Sequence, residues 1–282
     1  MRLFCFGYGF TAQALVERLS PIDLEVAGTR TSLAVRTPGV GLACFRGDAP
    51  SPDVRSHLVG ATHILISIPP DLEGDAVLRH HGKDIAGLSG LLWIGYLSTI
   101  GVYGDWRGQW IDETAPARPI SERSLRRLEA ERAWGEFAQA SGKRLDIFRL
   151  AGIYGPGRSV VDALRAGTAK RVVKPGQVFN RIHVEDAAQV LVAAMGKPAG
   201  HGLFNVTDDE PAPPQDVVAF AAQLLGLPVP PAIDFEAAGL SGMAATFWAE
   251  NKRVRNKRMR CELGVELAYP SYREGIRALA ER

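Results

Sequence analysis

Six residues near the amino terminus, Gly7-Tyr8-Gly9-Phe10-Thr11-Ala12, have the types and spacing to hold phosphate groups. In a strand–turn–helix unit Gly7 permits the tight bend, Gly9 lets backbone approach a pyrophosphate, and Ala12 allows close strand–helix packing. The helix start, at Phe10 and Thr11, then offers N–H groups and the positive end of a dipole. About 20 residues further on, NAD binders carry an acid for the ribose 2′-hydroxyl. Here the sequence is Val26-Ala-Gly28-Thr29-Arg30-Thr31-Ser32, with no acid at the tip. Glu25 lies earlier, inside the strand. Arg30 suits a 2′-phosphate, and Thr29, Thr31 and Ser32 can donate hydrogen bonds beside it. The expected cofactor is therefore NADP(H), favoured over NAD(H).

Three other groups of residues invite chemistry. His80, His81 and Asp84 resemble part of a metal site, but adjacent histidines point apart and no third ligand follows, so no metal and a solvated surface are expected. The run Asn251–Arg260 holds six basic residues, read either as a solvated face or as an anion site. Trp106 and Trp110 flank a glycine in a loop, as a lid or as packing.

These residues need elements to position them. Apolar runs at Arg2–Phe6, Leu24–Thr29, Gly41–Phe45, His63–Ile68, Leu91–Ser98 and Leu145–Leu150 read as strands covered on both faces. Helical spacing marks Thr11–Leu19 and Ser121–Ala140, the latter with Ser121 as N-cap and Gly142 as stop. The alternation predicts an α/β fold, a doubly wound parallel Rossmann sheet with a smaller C-terminal α/β lobe. The expected division is 1–155 for dinucleotide binding and 156–282 for the lobe, with about 181–206 returning to the first domain. In the second part, helices are expected at Asp186–Met195, ended by Gly196 and Pro198, and at Pro214–Leu225. Ser271-x-x-Glu274 forms a capping box for the last helix.

The 282 residues are 46% hydrophobic and nearly charge-balanced, with 33 basic and 31 acidic residues. That gives a core of ordinary size and no basic face for nucleic acid. Cys5, Cys44 and Cys261 are few and far apart, against a disulfide frame or zinc site. No run approaches the roughly 18 apolar residues of a membrane helix. The expectation is a cytoplasmic protein with a small-molecule substrate and no membrane or nucleic-acid partner.

More specific stretches follow in the middle and end of the chain. They are Leu97-Ser-Thr-Ile-Gly-Val-Tyr-Gly104, Asp112-Glu113, Arg149-Leu-Ala-Gly-Ile-Tyr-Gly-Pro-Gly157, Arg181-Ile-His-Val-Glu-Asp186, Phe204-Asn-Val206, Leu263-Gly264 and Tyr269-Pro-Ser-Tyr-Arg-Glu-Gly275. In this order they resemble the NAD-dependent epimerase/dehydratase family of extended short-chain dehydrogenases/reductases, over nearly the whole chain. The resemblance implies that Asp48 lies near the adenine and that Ile68 and Pro69 run along the cofactor. It makes Thr99 the catalytic Ser/Thr and Tyr103 the aromatic of the VYG segment. Ala151, Ile153 and Tyr154 would border the nicotinamide, His183 would make a structural contact, and a homodimer is compatible with it. Arg253, Arg255 and Arg258 become candidates for gripping an anionic, sugar-like substrate, with Tyr103 and Tyr154 as further substrate contacts.

One departure is decisive. The family's acid–base pair is Tyr-x-x-x-Lys, and the corresponding positions here are Arg123 and Arg127. Arginine stays protonated at any working pH and has no acceptor lone pair. Arg123 therefore cannot exchange a proton as the tyrosine does, although Arg127 can still donate to ribose or phosphate. Tyr103, the nearest phenol in the implied cleft, is left as a tentative proton donor, against the reading that it only lines the pocket. Two functions stand side by side: an atypical NADP(H)-dependent oxidoreductase or epimerase, and a non-catalytic NADP(H) redox sensor.

Overall fold

The computed structural model describes residues 1–19, 23–34, 36–197 and 202–282. Elements follow in the order β1 (Arg2–Phe6), α1 (Phe10–Leu19), β2 (Glu25–Arg30), β3 (Val40–Cys44), α2 (Pro52–Leu58), β4 (His63–Ile66), α3 (Ala76–Ala86), β5 (Trp93–Thr99), β6 (Trp110–Ile111), α4 (Glu122–Ser141) and β7 (Leu145–Leu150). Then come β8 (Gly152–Tyr154), α5 (Val160–Arg165), β9 (Arg171–Val173), β10 (Arg181–His183), α6 (Val184–Met195), β11 (Gly202–Val206), α7 (Pro214–Leu224), β12 (Ala232–Asp234), α8 (Gly242–Trp248), β13 (Arg253–Val254), α9 (Lys257–Leu263) and α10 (Tyr272–Ala280). Pro198, the expected helix stop after α6, lies outside the described residues.

Two compact units share these elements. The first holds Met1–Thr99, Glu122–Arg149 and Ala188–Phe204; the second holds Ile100–Ser121, Leu150–Ala187 and Asn205–Arg282. The units are interleaved along the chain; the sequence suggested a break near residue 155 with about 181–206 returning to the first domain.

The first unit is built on a seven-stranded sheet ordered β11-β7-β5-β4-β1-β2-β3. The pairs β1–β2, β1–β4, β2–β3 and β4–β5 all run parallel. The order winds outward from β1 to both edges, as a Rossmann sheet does. Dense apolar strands demand cover on both faces, and Phe4, Phe6, Ile64, Ile66 and Ile94 are fully buried with Val77 of α3 and Trp134 of α4 against them. Each such side chain contributes about 1.5–3 kcal/mol of burial. A carboxylate stitches one edge together. Asp146 of β7 accepts from Trp93 Nε1 of β5 at 2.7 Å and from the Gly202 amide of β11 at 2.7 Å.

The second unit uses two-stranded parallel pairs, β8–β10, β9–β12 and β6–β13. Its core gathers Val161 and Leu164 of α5, Val217 and Ala221 of α7, and Tyr272, Ile276 and Leu279 of α10. The Ser271–Glu274 capping box opens α10 as its sequence predicts.

The expectation of a solvated His80–His81 surface is overturned. His81 is fully buried, its Nδ1 lies 3.0 Å from Asp84, and its Nε2 accepts from the Ser51 amide, so it braces α2 against α3. Among the described residues no three metal-ligating side chains converge, and no helix is long and apolar enough to cross a membrane.

Candidate functional site

The glycine turn is held from three sides within the first unit. Gly7 has φ of +89°, which only glycine adopts without strain, and a Cβ there would stand 2.7 Å from Ile68 Cγ2. Its amide donates to Thr29 Oγ1 at 2.9 Å, and the Tyr8 amide donates to the Thr29 carbonyl at 2.8 Å. The Gly9 amide bonds back to the Gly7 carbonyl, while the position of its missing Cβ meets open space. Then α1 begins at Phe10, with Thr11 and Ala12 buried against the sheet. Ala12 thus permits the close packing, and the open side of Gly9 is the cradle a pyrophosphate needs.

Arg30 closes the β2 side of this turn. Its Nε donates to the Tyr8 carbonyl at 3.3 Å, and its guanidinium lies 5.6 Å from the Tyr8 ring centre. Thr29 is buried and serves as a brace for the turn, whereas Thr31 and Ser32 are exposed. Sequence reasoning overlooked Arg46. Its exposed side chain donates through Nε to the Thr31 carbonyl at 3.3 Å. Strand pairing sets this up, since Arg30 faces Cys44 across β2–β3 and Arg46 follows two residues later. Asp48 and Pro69 are exposed, and Ile68 is half-buried over Gly7.

Next along the same unit, α4 brings Arg123 and Arg127 onto one face, four residues apart. Arg127 is buried and donates through Nη1 to the Leu97 carbonyl at 2.7 Å and to the Tyr96 hydroxyl at 3.4 Å. Arg123 is exposed; its guanidinium is pushed below the usual arginine range by partial burial and then by Arg127. One turn further, Glu131 receives Arg149 Nε at 3.1 Å and Nη2 at 2.6 Å, and the Ser98 hydroxyl closes on the same carboxylate. Thr99, half-buried, ends β5 beside Ser98.

The remaining expected site residues belong to the second unit. Tyr103 is fully buried and donates its hydroxyl to Asn205 Oδ1 at 2.8 Å. The hydroxyl is thus engaged within the fold, as the pocket-lining reading of Tyr103 expects. Tyr103→Phe is expected to cost about 1–2 kcal/mol of stability, because a buried acceptor loses its donor, and to leave dinucleotide affinity unchanged. Denaturant unfolding beside a cofactor titration checks both.

Tyr154 turns its hydroxyl into the protein, where a Cβ on Gly275 would sit 2.0 Å from it. That hydroxyl is buried and has no hydrogen-bond partner among the described residues. Ala151 is buried, its amide tied to the Val206 carbonyl at 3.0 Å. His183 packs 4.0 Å from the Tyr269 ring centre, and burial lowers its pKa to about 4, so it stays neutral.

Much of the basic run is internally committed. Lys252 is buried on Glu250 and the Gly104 carbonyl, Arg253 bonds the Gly108 carbonyl, Arg258 pairs with Glu262, and Arg260 pairs with Asp209. Arg255 lies 5.1 Å over the exposed Trp110 ring and, with Lys257 and Asp208, lines a cavity of about 220 Å³. Trp106 bonds the Tyr103 carbonyl at 2.9 Å and stacks under Arg118, so it packs within its unit.

With this geometry in place, known proteins can be set beside it. No family model matches the chain. A human epimerase family protein solved with NADPH shares the fold at a TM-score of 0.75 and 15% identity, covering 100% of this chain and 99% of its own. A UDP-glucuronic acid 4-epimerase from Bacillus cereus, solved with NAD, gives 0.78 and 14%, covering 100% and 96%. The fold is that of the NAD-dependent epimerase/dehydratase proteins within the short-chain dehydrogenase/reductase group. A functionally unknown conserved protein from Silicibacter pomeroyi is 48% identical with a TM-score of 0.88, covering 99% of this chain and 98% of its own. The chain belongs to one family with it. Protein YeeZ of Escherichia coli is 27% identical over 94% of both chains. A 3-diazoavenalumate denitrifying reductase from Streptomyces sp is 31% identical, over 59% of this chain and 55% of its own.

Proposed function

We propose that the chain is an atypical short-chain dehydrogenase/reductase that binds NADP(H) and acts as an oxidoreductase or epimerase on a small, sugar-like or anionic substrate. The observation that carries this is the glycine turn: open at Gly9, closed behind Gly7 by Ile68, and flanked by Arg30. The residues fit the group. Gly7, Gly9, Phe10, Thr11 and Ala12 would cradle the pyrophosphate, Arg30, Thr31 and Arg46 the 2′-phosphate, and Asp48, Ile68 and Pro69 the adenosine and its neighbours. Thr99 and Arg127 would face the nicotinamide half. When bound, the dinucleotide supplies or accepts hydride. Relatives solved with NADPH or NAD support a nicotinamide cofactor, and a relative named as a reductase supports redox chemistry.

The test is cofactor discrimination. Arg30→Ala should weaken NADPH by about tenfold or more, the worth of a charged phosphate contact, and NADH by less than about twofold. Equal weakening would overturn the NADP(H) reading. The rival reading, a non-catalytic NADP(H) sensor, is favoured by Arg123 and Arg127 standing where the proton-handling pair is expected. Redox-selective binding without turnover on a carbonyl panel would favour the sensor. Turnover abolished by Thr99→Ala would favour the enzyme.

A further inference from the structure

We infer that Arg123, backed by Arg127, anchors an oxyanion of the substrate, a carboxylate or a phosphate, at the carboxyl ends of the sheet strands where the dinucleotide site lies. The placement rests on the dinucleotide reading; the charge arrangement does not.

Both guanidinium groups sit on the first two turns of α4, and neither has a salt-bridge partner among the described residues. Two of the helix carboxylates are engaged elsewhere. Glu122 lies 3.6 Å from Arg126, and Glu131 is held by Arg149 and Ser98. Asp75 faces Arg127 from α3, but its Oδ1 caps that helix through the Val77 and Leu78 amides, and burial pushes its carboxyl above the usual range. Like charges four residues apart on a helix repel by a few tenths of a kcal/mol. Two adjacent cations, one of them buried, with no salt-bridge partner among the described residues are what an anion would relieve.

The direction of the pair is fixed by packing. Arg127 is pinned to the Leu97 carbonyl, two residues before β5 ends at Thr99. This sets the start of α4 at the carboxyl ends of the parallel strands, where β1 leads into Gly7 and β4 into Ile68. Arg127 spends donors on the protein and acts as a positioning residue. Arg123 keeps a whole guanidinium for a ligand, and its fork of N–H groups matches two oxygens at once. A pair that cannot give up a proton is thus suited to orienting an acid, not to relaying protons.

The test is a calorimetric titration of the whole protein with cinnamate, phenyl phosphate and neutral cinnamide, alone and saturated with NADPH. Cinnamate or phenyl phosphate should bind and cinnamide should not; which anion binds more tightly separates the two ligand classes. Arg123→Gln should weaken the anion by about tenfold, Arg123→Lys by less, and Arg126→Gln not at all. No anion binding by the wild-type protein, equal binding of cinnamide, or insensitivity to Arg123→Gln would each overturn the anchor. Loss of anion binding when NADPH is present would assign the pair to the cofactor and overturn it too. NADPH binding is read separately in each variant, so failure of the dinucleotide reading would show as absent NADPH binding with the anion result still legible.

Discussion

Glu131→Gln is expected to lose about 3–5 kcal/mol of folding stability, because removing one partner of a buried ion pair leaves the other charge uncompensated. The side chains of Arg149 and Glu131 are 7% and 5% exposed, so water cannot take over from the lost carboxylate. Both carboxylate oxygens are engaged, one by Arg149 Nη2 and the other by Arg149 Nε together with the Ser98 hydroxyl. The glutamine keeps the shape but not the charge, so the loss reports electrostatics and not a cavity. A double substitution, Glu131→Leu with Arg149→Met, should recover much of it, since an apolar pair of similar volume avoids the desolvation penalty. Chemical denaturation measures both; a loss below about 1 kcal/mol for the single change would show the pair to be worth no more than a surface one. The pair joins α4 to β7, and Ser98 joins it to β5, so the same network holds the helix that carries Arg123 and Arg127.

The second large effect falls on the glycine turn. Gly7→Val should reduce NADPH affinity by about tenfold or more and cost about 2–4 kcal/mol of stability, from a disallowed backbone angle and steric overlap together. The angle is +89°, and the new Cβ would meet Ile68 Cγ2 at 2.7 Å and the Ile68 amide nitrogen at 3.2 Å. Gly9→Ala is the informative contrast. Nothing lies within 4 Å of its added Cβ, so the fold should be intact. The methyl would instead project into the cradle and weaken NADPH by about tenfold, as backbone approach to pyrophosphate is blocked. Thermal unfolding with parallel fluorescence titration separates the two. Wild-type affinity in Gly9→Ala would place the pyrophosphate elsewhere.

The sheet was largely legible in the sequence because its strands are buried on both faces and so read as apolar runs. Arg2–Phe6 and Leu145–Leu150 match their observed bounds, and the other four of that half differ only by shifts at their ends. Short helices escaped notice. Pro52–Leu58 and Ala76–Ala86 carry His57, Arg79, His80 and His81 where apolar spacing would have marked them, and His81 was read as surface although it is fully buried. A histidine satisfied by a neighbouring amide and carboxylate looks like any polar residue until its partners, Ser51 and Asp84, are seen in place. The glycine turn was legible because it is local. Arg46 was not, because its relation to Arg30 is made by strand register across β2–β3 and not by sequence spacing. The basic run misled for a related reason: its charges meet Glu250, Asp209 and backbone carbonyls of Gly104 and Gly108, distant in sequence, and much of its apparent appetite for anions is met within the fold.

The edge strand β11 has a consequence for how the molecule is made. The first unit closes with Ala188–Phe204, and β11 supplies the amide that Asp146 accepts at one side of the sheet. A ribosome must therefore pass Phe204 before that unit has all of its parts. Until then β7 is an unpaired border, the kind of edge that invites pairing with another chain. A fragment ending near residue 150 would carry the glycine turn and both arginines of α4 yet lack its last strand. Vectorial synthesis completes the first unit only after much of the second has emerged.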